Sequence, residues 1–75
     1  MHDHHHGFPV LSAISPAVYH GIIEFGAGQS LRHVLYQIGA ISFLMGRGMP
    51  YQQALSIVES WEQDERFPYF EDTPI

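Results

Sequence analysis

Gly46-Arg47-Gly48-Met49-Pro50 constrains this chain more than any other feature, because it interrupts two helical patterns that together run from Gln29 to Glu62. Glycine accepts the left-handed backbone just past a helix end. Proline fits the first turn of the next helix, where its missing N–H has no partner to lose. The segment therefore reads as a helical hairpin. A hairpin is architecture without chemistry, so any function must come from the faces it presents.

The helix before the break is expected over about residues 30–46. Ser30 stands at its cap, and Leu31, Val34, Leu35, Ile38, Ile41, Ser42 and Met45 share one face. From Gly39 to Met45 no position carries a charge. A helix apolar all round must be surrounded, and Gly39, Ala40 and Ser42 are small enough for another backbone to come close. Ile38, Ile41, Phe43, Leu44 and Met45 are accordingly the expected self-association seam. The helix after the break, about 50–63, places Tyr51, Ala54, Leu55, Val58 and Trp61 inward. Gln52, Gln53, Ser56, Glu59 and Glu62 point outward, and Pro68 prevents continuation.

Upstream, Ser15-Pro16 is a helix start signal. Val18, Ile22 and Phe25 follow at i, i+4 and i+7, predicting a short helix over about 16–25 that Gly26 and Gly28 end. The same Val18-Tyr19 and Ile22-Ile23 pairs also suit a strand. Residues 1–15 read as a His-rich extended arm and 66–75 as an extended acidic-aromatic tail. The expected fold is all-α: a small three-helix domain across 16–65, built on a central helical hairpin.

A chain of 75 residues has room for one domain of marginal stability. Its lack of cysteine excludes disulfides and thiolate metal sites. Self-association is the staple that remains, so a homodimer or higher oligomer is expected. No apolar run reaches the roughly 20 residues that span a bilayer, and the first residues lack a basic-then-apolar leader pattern. A cytoplasmic protein without membrane contact is the expectation.

The formal net charge of −5 resides wholly in residues 59–75, where six carboxylates face Arg66; Asp3 and Glu24 cancel Arg32 and Arg47 elsewhere. There is no lysine. Without a basic stripe the chain lacks the main source of nucleic-acid affinity. A dimeric helix-turn-helix-like DNA-binding regulator would have to read bases with Tyr51, Gln52, Gln53 and Ser56 while gripping phosphates with Arg32 and Arg47 alone.

Two histidine sets could take metal. His2, His4, His5 and His6 offer imidazoles for Ni(II), Cu(II) or Zn(II), although adjacent histidines on an extended arm lack fixed geometry. His20 and Glu24 stand one helical turn apart, and with His33 they permit a two-His, one-carboxylate site. The alternative is an exposed helix pair worth a few tenths of a kcal/mol. The serines are accounted for by caps and packing, and no nucleophile-base pair stands out, so an enzyme and a cofactor are not expected. The tail sets Phe67, Tyr69 and Phe70 among Glu62, Glu65, Glu71 and Asp72. Aromatic anchors flanked by acids suit docking into a basic groove on a protein partner. The expected function is a small non-enzymatic interaction module (a regulator, adaptor or antagonist), with a metal-binding protein as the alternative.

Overall fold

The computed structural model describes residues 4–62 as three helices: α1, His4–Gly26; α2, Leu31–Gly46; and α3, Tyr51–Glu62. The domain is all-α, with no strand among the described residues. α2 is central, packing against α1 on one side and α3 on the other, while α1 and α3 scarcely meet.

Two matching glycine turns join the helices. After α1, Gly28 N–H donates to Phe25 O at 3.1 Å and Gln29 N–H to Glu24 O at 3.1 Å, with Gly28 at φ 105°. After α2, Gly48 N–H donates to Met45 O at 2.9 Å and Met49 N–H to Leu44 O at 3.1 Å, with Gly48 at φ 102°. This paired bonding satisfies the carbonyls that a helix end orphans, and the left-handed residue between them favours glycine. Ser30 caps α2 as its position implies, its Oγ accepting from His33 N–H at 3.0 Å.

α1 departs from the expected short helix and extended arm, since it begins at His4 and passes through Pro9 and Pro16. Pro16 has no N–H to give the carbonyl of Ser12, but Ser12 is exposed and water can serve that carbonyl. Nearby, Ser15 Oγ donates back to Leu11 O at 2.8 Å. The earlier turns gain a surface in return: Val10, Ala13 and Ile14 border a groove with Ser42, Met45, Met49 and Tyr51 beside the second turn. Together with Ala17 they form an i, i+3, i+4, i+7 stripe, which is helical periodicity hidden among small residues.

The core consists of Ala17, Val34, Ile41, Ala54 and Val58, all buried, with Leu44, Met45, Met49, Tyr51, Leu55 and Trp61 packed around it. The inner stripe of α3 is the one its sequence predicts. The face of α1 is not, and that of α2 holds at Val34, Ile38, Ile41, Ser42 and Met45 but not at Leu31 and Leu35. Val18, Ile22 and Phe25 point outward, with Ile22 60 % and Phe25 55 % exposed; on α2, Leu31 and Leu35 are each 59 % exposed.

Close approach explains the rotation of α1. Gly21 is buried, and a Cβ built on it would overlap Ile38 Cδ1, lie 2.6 Å from Ile38 Cγ1 and 3.1 Å from Val34 Cγ1. Ala17 and Gly21 let α1 sit directly on Val34 and Ile38, in a way larger side chains at those positions would prevent. The larger apolar residues of α1 are thereby turned to the outside.

Candidate functional site: a histidine-glutamate seam

Turning Ala17 and Gly21 inward fixes what else faces in. Positions 17, 20, 21 and 24 repeat at i, i+3, i+4 and i+7, so His20 and Glu24 are carried into the interface with their small neighbours. α2 contributes His33 and Gln37, both buried, from its first two turns. α3 contributes Glu59 and Glu62 from its last turn. Six polar side chains on three helices thus meet at the end of the domain away from the Gly48 turn.

Their geometry is a connected network. His20 Nε2 lies 3.8 Å from Glu24 Oε2 and 3.8 Å from Glu59 Oε2. His33 Nε2 lies 4.0 Å from Glu24 Oε1 and 3.5 Å from Glu62 Oε1. Gln37 Nε2 donates to Glu62 Oε2 at 2.8 Å. Glu24 therefore joins two imidazoles, and Glu62 joins His33 to Gln37. His20 Nε2 is buried without a hydrogen bond, as is Gln37 Oε1 on a side chain that is 1 % exposed. Buried polar atoms normally find partners, so these two are the points in the seam where a further donor or acceptor could be received.

Burial raises the carboxyl of Glu62 above its usual 4.5; His33 and the Gln37 hydrogen bond pull it down, and Glu24 and Glu59 push it up. A raised acid holds its proton more tightly folded than unfolded. The contribution of Glu62 to stability therefore falls as pH rises from its ordinary carboxylate value through its folded value. Glu62→Gln keeps an acceptor for Gln37 and removes the charge. Urea unfolding at several pH values should show the two proteins converging near pH 4 and the variant becoming the more stable toward neutrality. A parent that gains on the variant as pH rises would mean the seam favours the Glu62 anion.

The sequence-predicted sites fare unequally. His20, Glu24 and His33 do come together. Glu62, expected to point outward for a partner, instead faces His33 and Gln37 with a side chain 19 % exposed; Glu59 leans to His20 and stays half-exposed. Gln37 and Glu59 are seam members that the sequence reading did not assign. The i, i+3 spacing of Glu59 and Glu62, which puts both carboxylates on one side of α3, was the available signal. Of the expected self-association residues, Ile41 is fully buried within the chain, Leu44 and Met45 pack on its core, and Ile38 lies partly buried by Gly21. Phe43 alone is exposed, with the Arg47 guanidinium 5.8 Å from its ring centroid. The backbone of His4, His5 and His6 forms the first turn of α1. His2, Glu65, Phe67, Tyr69, Phe70, Glu71 and Asp72 lie outside the described residues.

A second surface lies opposite. Leu31, Arg32, Leu35, Tyr36, Gly39 and Ala40 line an almost wholly apolar groove on the outer side of α2. No helix of the described residues is long and apolar enough to cross a membrane. No protein-family model, curated protein or solved structure matches the chain.

Proposed function

We propose that this chain is a small non-enzymatic helical interaction module that acts through self-association and docks a protein partner through its acidic-aromatic C-terminal segment. The observation that carries the first part is the outward apolar surface of α1 and α2. Among the described residues, eleven large apolar side chains are at least 36 % exposed. At on the order of 100 Å² for each half-exposed ring or branched chain, they amount to on the order of 1,000 Å². A standard interface needs about 800 Å² per partner, so a second copy covering much of this surface would suffice for one. A second copy burying Ile22, Leu31, Leu35 and their neighbours would supply the staple that a domain of this size lacks.

The acidic-aromatic segment then remains for a different protein, with Tyr69 and Phe70 as anchors and the carboxylates steering the encounter. A regulator or adaptor of this kind works by occupancy and needs no catalytic group.

Sedimentation velocity between about 1 and 100 μM tests the association. The parent is expected to sediment as a dimer or larger. Ile22→Glu and Leu35→Glu, each placing a charge at an exposed apolar position, should weaken self-association at least about 100-fold while circular dichroism stays unchanged. A parent that is monomeric at every concentration would overturn self-association. A chain ending at Asp64 separates the two surfaces: deeper association on truncation would mean that the last residues cover the apolar face within one chain, and the docking proposal would fall.

A further inference from the structure

The seam is chemically distinct from the apolar surface and supports an inference of its own. With its carboxylates ionised, the set Glu24, Glu59 and Glu62 outnumbers the two imidazoles, so the seam stays negative even if both histidines are protonated. Concentrating like charge in a partly buried space is unfavourable unless a proton or a cation shares it. The donors are mixed imidazole nitrogen and carboxylate oxygen, the set that suits divalent first-row transition metals. They come from three helices held by the core.

We propose that His20, Glu24, His33 and Glu62 form a binding site for a divalent transition-metal cation such as Zn(II), with Gln37 orienting Glu62. Among the described residues no three such groups already stand in a metal-holding arrangement. The proposed site is one that a cation would have to draw together. Two ligands about 2.1 Å from one tetrahedral cation lie about 3.4 Å apart, whereas the nitrogen-oxygen separations here run from 3.5 Å between His33 and Glu62 to 4.0 Å between His33 and Glu24. The same separations exceed the roughly 2.7–2.9 Å of a charge-assisted hydrogen bond. Rotation of these side chains would be needed to bring them onto one cation.

The two orphaned atoms support this assignment independently of charge. His20 Nε2 is buried, makes no hydrogen bond and stands between two carboxylates. A neutral imidazole nitrogen in that position has a lone pair to give to a metal. Gln37 Oε1, the free end of the amide that holds Glu62, is an acceptor without a donor. A water on the metal would supply one, as second-layer groups commonly do.

The test is titration of the full chain with Zn(II), and with Co(II) for its visible absorption. The N-terminal imidazoles are controlled by a variant carrying Ser at His2, His4, His5 and His6. That variant is expected to keep one equivalent of tight binding, and saturating Zn(II) at about 100 times Kd should raise its Tm by roughly 10 °C or more. Glu24→Gln and His20→Gln, made in the same background, should each weaken binding at least about 10-fold and lose the thermal shift. Glu24→Gln is the safer variant, because it keeps shape and lessens repulsion in the seam, so its metal-free fold should hold by circular dichroism. Loss of all binding on removing the N-terminal histidines, or Glu24→Gln and His20→Gln chains that bind and stabilise like their parent, would overturn the site.

Discussion

Ile41→Ala is expected to destabilise the domain by about 3–4 kcal/mol, the largest effect of any single truncation here. Ile41 is fully buried at the contact of all three helices, beside Ala17, Ala54 and Val58. Two of those neighbours are alanines, with no longer side chain to swing into the space left behind, so most of the cavity persists. A domain of this length has about 4–11 kcal/mol of stability in total. The urea midpoint should drop by about a quarter or more, and at the lower end of that stability range the variant is largely unfolded at 37 °C. Measurement must be at fixed protein concentration, since association adds to apparent stability. Phe43→Ala, two residues along the same helix but 63 % exposed, is the matched control. Equal losses at 41 and 43 would show that α2 is rotated from the position described.

The second large effect is expected at Gly21. Gly21→Leu should cost about 3 kcal/mol and lower Tm by about 12–20 °C, because the new side chain starts where Ile38 and Val34 already stand. Gly21→Ala should cost less, although turning the Ile38 terminal methyl aside still leaves Ile38 Cγ1 2.6 Å from the new Cβ; four added carbons have nowhere to go without parting α1 from α2. Parting them would also carry His20 and Glu24 away from His33, so the leucine variant should lose the seam with the stability. Gly39→Ala provides the opposite control. It sits on α2 in open space, and should be neutral or gain up to about 1 kcal/mol from helix propensity. A tolerated leucine at 21 would rule out this docking of α1.

These two residues show why the sequence revealed some faces and concealed others. The caps were legible because Ser30 and Gly48 act locally, and so was the stripe of α3, whose apolar residues recur at helical spacing against a polar remainder. α1 offered two stripes. Val18, Ile22 and Phe25 are the more hydrophobic, but Ala17 and Gly21 are the ones that let backbones approach, and this tertiary term outweighed the local pattern. Likewise Leu31 and Leu35 look like core residues until the neighbouring helix is placed.

Half of the seam could be read for a simple reason: His20 and Glu24 are one turn apart, and His33 follows in the next helix. Glu59 and Glu62 stand far along the chain, and helical amphipathicity puts carboxylates outside. Only the docking of α3 against the first turns of α2 brings Glu62 to Gln37. The partner-binding residues assigned beyond Glu62 rest on composition and not on the described helices.

Pro16 has a further consequence for how this small domain breathes. By leaving the Ser12 carbonyl without its usual partner, it cuts the hydrogen-bond ladder of α1 between the turns that border the Gly48 loop and those that carry His20 and Glu24. A ladder with a missing rung does not pass unwinding along as readily as a continuous one. The leading turns are therefore expected to exchange their amide hydrogens ahead of the turns that carry the polar seam, with proline as the firebreak between them.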